Sequence, residues 1–295
     1  MSYKSDYETY IGKREYCMAN PMAGVFFHQE RRYVEPFQIY GNVYYVGDDW
    51  VCVHLIDTGD GLLLIDSGNV GETAYLIQAI WEMGFRPNDV KWMILSHGHV
   101  DHIGGANFFR NMFGTKLYLG APDAKMFSEH PEFAFVQDSP CLEEQLFTPD
   151  VCIHDGDVLR FGSLTVQCYL VPGHTEGCVA LFFDATNGAE TKRCGYYGGF
   201  GFNTMTCAAL EEMGDPKYGM WQAYRDSIDK VIGQKVDIFL GNHTENNRTL
   251  EKRKQILEGA VSDPFIDPAE WSAYLAQKKA DLEAFTQKEL RAKRA

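Results

Sequence analysis

The chain has 295 residues, 45% hydrophobic and 23% charged, with a formal net charge of −14. That composition suits a folded core and excludes a disordered chain. With 41 acidic residues against 27 basic ones, it also excludes the clustered Lys and Arg surface that a nucleic-acid partner requires.

The polar opening, MSYKSDYETYIGKREY, contains no apolar run of the secretory type, and no window approaches the ~20 apolar residues of a membrane span. A cytoplasmic protein with no membrane partner is therefore expected, or a periplasmic or secreted one if a longer precursor has lost its leader. Tyr3, Tyr7 and Tyr10 form an aromatic stripe if the opening is helical, able to pack on the chain itself or on a second subunit. Residues 38–66 read as short strands, QIYGNVYYVG, VCVHLID and LLLID, with Asp60-Gly61 as a hairpin turn between the last two. Next comes a helix with Tyr75, Leu76, Ala79, Ile80 and Met83 on one face, stopped by Gly84. VKWMILS is a buried strand, 107–113 a further helix, and TKLYLGA another strand. Residues 127–150 hold three prolines and little period, which predicts a long surface loop and a candidate wall of a substrate site.

Strands resume in VLRFGSLTVQCYLV, CVALFFDA and CGYYGGFGFN. A helix is predicted over 217–233, followed by a last buried strand in VDIFLGNH. From Asp267, Leu275, Leu282, Phe285 and Leu290 lie on a helical stripe whose basic end, Lys288 to Arg294, reads as a solvated last turn suited to the helix dipole. Strands and helices alternate in two halves, which points to a layered α/β fold. The eight cysteines are scattered without a CxxC pair, as expected of small buried hydrophobes in a reducing compartment.

The chemistry concentrates in His97-Gly98-His99-Val100-Asp101-His102, directly after a predicted strand. Imidazole and carboxylate are zinc ligands, and these offsets send side chains in more than one direction, so two adjacent metals are served more easily than one. His174, in Pro172-Gly173-His174-Thr175, and His243, in Gly241-Asn242-His243, also follow predicted strands. The histidines at 28, 54, 130 and 154 lack such a setting and read as structural.

HGHVDHIGG, with LLLIDSG upstream, PGHTEG downstream and a strand-end His243, resembles the metallo-β-lactamase superfamily from about Pro36 to Asn246. The resemblance implies a four-layered αββα sandwich in one domain, with a core of about 36–246, an N-terminal extension 1–35 and a helical C-terminal extension 247–295. It also implies two zinc ions per subunit, the first held by His97, His99 and His174 and the second by Asp101, His102 and His243, with Asp66 supporting these ligands from behind. Glyoxalase II and the acyl-homoserine lactonases place a metal-bridging Asp where this chain has Tyr196-Tyr197-Gly198-Gly199-Phe200. Without that carboxylate the site is most similar to the third subclass of class B β-lactamases, as are PFQIYGNVYYVG and EMGFRPNDVKWMILSHGHVDHIGG. The serines which that subclass uses to bind a β-lactam carboxylate are missing near Gly198-Gly199, and Asn203, Thr204 and Thr206 a few residues on have no assigned role.

The implied activity is hydrolysis of a small acyl substrate, a metal-bridging hydroxide attacking a carbonyl while Asp101 orients it. A β-lactam ring is the first substrate, with a lactone or thioester as the alternative. Two readings from other classes stand beside it: a flavodiiron-like oxidoreductase, which lacks its extra acidic ligands here, and a non-catalytic zinc-binding protein. Three plus three ligands leave coordination positions open, unlike a closed structural site.

Overall fold

The structure is a computed structural model that describes residues 29–134 and 145–294. The Tyr3, Tyr7 and Tyr10 stripe, His28 and residues 135–144 of the expected loop lie outside them.

The first sheet runs in chain order: β1 (Phe37–Tyr40), β2 (Val43–Tyr45), β3 (His54–Asp57), β4 (Leu62–Ile65), β5 (Val90–Leu95), β6 (Lys116–Gly120) and β7 (Val151–Ile153). Pairing is antiparallel from β1 to β4. It becomes parallel from β4 to β7, once helices supply the crossovers that parallel strands need. Those helices are α1 (Thr73–Glu82), α2 (Val100–Ile103), α3 (Ala106–Phe113) and α4 (Ala121–Glu129). The second sheet has the order β12-β11-β10-β9-β8, built from β8 (Val158–Phe161), β9 (Leu164–Leu170), β10 (Val179–Thr186), β11 (Thr191–Tyr197) and β12 (Ile238–Leu240). Its outer helices are α5 (Cys207–Glu212), α6 (Gly219–Val231), α7 (Thr249–Leu257) and α8 (Glu270–Arg294).

Central strands such as β4 and β10 are apolar on both faces because both faces are covered, and successive residues turn to opposite sides. In β4, Leu63 and Ile65 point inward and meet Phe161, Val166, Leu181 and Phe183 of the second sheet. Leu62 and Leu64 point outward onto Leu76 and Ile80 of α1 and Phe109 of α3. The second sheet repeats the arrangement, with Ala180, Phe182 and Phe239 turned toward Tyr224, Ile228, Trp271 and Leu275. The result is the expected αββα sandwich, and each fully buried Leu or Phe in it contributes about 1.5–3 kcal/mol.

One expectation needs correction. The 127–150 stretch is not loop from its start: α4 runs to Glu129, and a tight 3-10 turn covers Pro131–Ala134. Pro122 and Asp123 in the first turn of α4 suit a helix start, whereas the later prolines had suggested a continuous loop. The basic end of α8 is exposed from Arg291 to Arg294, as expected of a solvated last turn, with Lys293 making surface contacts to Glu211 and the Tyr218 hydroxyl. Leu275 and Leu282 are buried as the stripe requires, with Phe285 and Leu290 packed against the same cluster. Among the described residues no helix is long and apolar enough to cross a membrane.

Candidate metal centre

Four strand ends converge at one edge of the sandwich. β4 leads into Asp66, β5 into His97 and His99, β9 into His174 and β12 into His243, while Asp101 and His102 sit in the short helix α2. Although the ligand candidates are scattered between residues 97 and 243, the topology gathers their side chains. Ring centroids lie 4.7 Å apart for His97 and His99, 4.2 Å for His97 and His102, 4.5 Å for His99 and His174 and 5.1 Å for His102 and His243. The donor atoms of His97, His99 and His174 fall within 4.8 Å of one another, as do those of His97, Asp101 and His102. His243 joins the second group, its Nε2 at 3.3 Å from His102 Nε2 and 3.6 Å from Asp101 Oδ2.

The outward ring nitrogens determine which nitrogens are left for a metal. His174 Nδ1 donates to the Gly201 carbonyl at 3.0 Å, so its neutral ring presents an Nε2 lone pair. His102 Nδ1 donates to Asp66 Oδ2 at 2.8 Å. His97 Nδ1 lies 3.1 Å from Ser96 Oγ. That hydroxyl sends its one proton to Asp66 Oδ2 at 2.9 Å, which leaves a lone pair to accept from His97. His97 Nε2 is then buried with no hydrogen-bond partner among the described residues. An orphaned buried nitrogen beside the facing pair His99 Nδ1 and His174 Nε2, 2.8 Å apart, is what a metal site made of imidazoles requires. The residues therefore fit a zinc ion.

Asp66 is the hub behind this wall. It adopts a left-handed backbone at φ 64°, conformational strain that persists only where the surroundings over-determine it. Here the Ser96 amide, the Ser96 hydroxyl, His102 Nδ1 and the Tyr196 hydroxyl all donate to its two oxygens. Tyr196 thus fills the strand end that lacks a carboxylate. Among the described residues, Asp101 is the one carboxylate in the candidate metal groups.

Electrostatics keep most of the donors in ligand form, His102 being the exception. Burial, then the neighbouring imidazoles, hold His97 and His99 well below the ordinary imidazole value, and burial brings His174 to about 4. His243 is lowered by burial and by His102. His102 runs the other way: burial lowers it, but Asp101 and Asp66 outweigh that and raise it. For Asp101, burial works upward, yet His102 and His243 overcome it and hold the carboxyl below its ordinary value. Neutral imidazole and ionised carboxylate are the forms that bind metal.

Several contributors carried no signal of their own in the sequence. Trp50 packs at a tilt beside His243 with centroids 5.1 Å apart, and Ser96 links His97 to Asp66. Asp123 is fully buried and accepts from the Gly98 amide, the Thr175 hydroxyl and the Gly177 amide. Thr204 donates to the His174 carbonyl at 2.7 Å, and Thr206 caps α5 by accepting from the Ala209 amide. Gly199 is needed for space, since a Cβ there would stand 2.7 Å from the His174 ring. Of the histidines read as structural, His54 is buried with Nε2 on the Gly241 carbonyl, while His130 and His154 are exposed beside Glu132 and Asp157. A cavity of about 360 Å³ reaches His99 and His174, with Met126, Phe133 and Met213 among its walls.

Residues 51–189 match the family model described as the metallo-β-lactamase superfamily. Among solved structures, the chain is similar to BJP-1, a subclass B3 metallo-β-lactamase of Bradyrhizobium japonicum, at TM-score 0.78 and 27% identity, covering 92% of this chain and 99% of that one. It is also similar to the metallo-β-lactamase FEZ-1 of Legionella gormanii, at TM-score 0.76 and 27% identity, covering 88% and 97%. Among curated proteins, it is 29% identical to the hydroxyacylglutathione hydrolase GloC of Haemophilus influenzae over 51% of this chain and 68% of that one. A hydroxyacylglutathione hydrolase of Cereibacter sphaeroides is 26% identical over 59% and 54%. The chain spans about half the length of most of the curated relatives it matches.

Proposed function

The chain belongs to the metallo-β-lactamase superfamily, and from that premise we propose that it is a dinuclear zinc hydrolase acting on β-lactams. One observation supports the metal reading: the donor atoms of His97, His99 and His174, and those of His97, Asp101 and His102, lie within 4.8 Å of one another with His243 beside the second group, while the opposite nitrogens of His97, His102 and His174 are held by the protein. His97, His99 and His174 hold the first ion, and Asp101, His102 and His243 the second. Bound zinc lowers the pKa of a coordinated water from 15.7 to about 7 and polarises a carbonyl oxygen.

The side chains supply the rest. Asp101 Oδ2, between His102 and His243, would orient the attacking water. Asp66 keeps the His102 ring in the tautomer that presents Nε2. Met126, Phe133 and Met213 take the acyl side chain and exclude water from the cavity. We treat the core of about 36–246 and the helices after it as one domain, because the ligands come from both sheets.

The β-lactam assignment draws on the B3 enzymes among the structural neighbours and on Tyr196, rather than a carboxylate, facing Asp66 at the end of β11. A thioester substrate is the second reading, favoured by the hydroxyacylglutathione hydrolases among the relatives. Zinc-loaded protein assayed against nitrocefin, an acyl-homoserine lactone and a hydroxyacylglutathione separates them. We expect kcat/KM for nitrocefin within the ordinary enzyme range of about 10⁴–10⁸ M⁻¹s⁻¹. Cleavage of the thioester or the lactone alone transfers the assignment to that substrate.

A further inference from the structure

Asp123 lies in the first turn of α4, outside the ligand set, yet it touches both ligand-bearing loops. Its Oδ2 accepts the Gly98 amide at 2.7 Å and the Thr175 hydroxyl at 2.8 Å, and its Oδ1 accepts the Gly177 amide at 2.8 Å. Gly98 sits between His97 and His99, and Thr175 follows His174. One fully buried carboxylate therefore joins the loop after β5, in the first sheet, to the loop after β9, in the second. The approach is close: a Cβ on Gly98 would stand 2.8 Å from Met126 and Phe127 of α4. Each donor is a backbone amide or a short hydroxyl, so little slack exists between the carboxylate and either loop. Hydrogen bonds to a carboxylate are also stronger than neutral ones.

The loops that Asp123 joins carry His97, His99 and His174. Asp101 and His102 belong to α2, and His243 to the end of β12, and none of Asp123's bonds reaches them. We propose that Asp123 is a positioning residue that sets the separation of the His97/His99 loop from the His174 loop. It thereby tunes affinity for the ion at the three-histidine site selectively. This inference rests on the zinc reading above.

The test is Zn²⁺ affinity of the full chain, measured by competition with a chelating indicator, for D123N in two backgrounds. His243→Ala leaves the three-histidine site intact, and His174→Ala leaves the Asp101, His102 and His243 site intact. We expect D123N to weaken Zn²⁺ by about tenfold or more in the first background, the usual effect of losing an outer partner, and by less than about twofold in the second. A purely structural role would weaken both alike. Equal weakening, no weakening in either, or weakening confined to the second background overturns the inference. Thr175→Val, which removes a single donor, reports the same ratio with a smaller loss and replaces D123N if that variant does not fold. A wild-type chain that binds no Zn²⁺ defeats the metal reading itself, whereas normal wild-type binding without site selectivity in the variants defeats this inference alone.

Discussion

The Asp66 carboxylate accepts the Nδ1 proton of His102 at 2.8 Å, and both side chains are 0% exposed. The same carboxylate also receives Ser96 and Tyr196, so it orients a candidate ligand from the side away from the metal. Asp66→Asn preserves shape and tolerates the left-handed backbone, but it turns one acceptor into a donor facing other donors. We expect zinc affinity to fall about 10–100-fold, read by competition titration, with the fold retained by circular dichroism. Wild-type affinity in this variant would contradict the role given to Asp66.

Much of this arrangement was legible in the chain, for identifiable reasons. The HGHVDH spacing, and the strands ahead of His97, His174 and His243, are local patterns, and local patterns are written in residue order. The cross-chain partners are different. Nothing around Ser96 or Trp50 announces that it will meet a histidine, because those contacts arise only when strands distant in sequence become neighbours. Asp123 is an intermediate case. Gly120-Ala121-Pro122-Asp123 carries a helix-start signal, but the prolines at 131, 140 and 149 drew the reading toward a loop and hid α4. The core was easier, since β4 and β10 are apolar at nearly every position, as strands covered on both faces must be.

Trp271 tests whether α8 belongs to the folded body. Its ring packs edge-on to Phe182 at 5.3 Å and to Phe239 at 5.4 Å, and its Nε1 donates to the Val231 carbonyl. Trp271→Ala should cost about 3–5 kcal/mol, measured by denaturant unfolding. A loss below about 0.5 kcal/mol, within the range of ordinary surface changes, would show that the helix is dispensable to the sandwich.

His54 gives a pH dependence with a definite sign. Burial brings it from the ordinary imidazole value of 6.5 down to about 4, and its bond to the Gly241 carbonyl only partly opposes this. The folded state therefore favours the neutral ring. This contribution is complete above pH 6.5 and is lost as pH falls through about 4, amounting to about 3 kcal/mol. Zinc-free wild type should lose about that much more stability between pH 7.5 and pH 4 than His54→Gln, the other histidines being common to both. Parallel stability curves for the two proteins would contradict the assignment.

The most direct test of the account is zinc content measured together with hydrolysis before chelation, after it, and after zinc is restored. The prediction is about two zinc ions per chain, activity lost with the metal and regained with it, and no more than about one ion and no activity restored in His97→Ala or Asp101→Ala. Undiminished hydrolysis by a chain stripped of metal would contradict it.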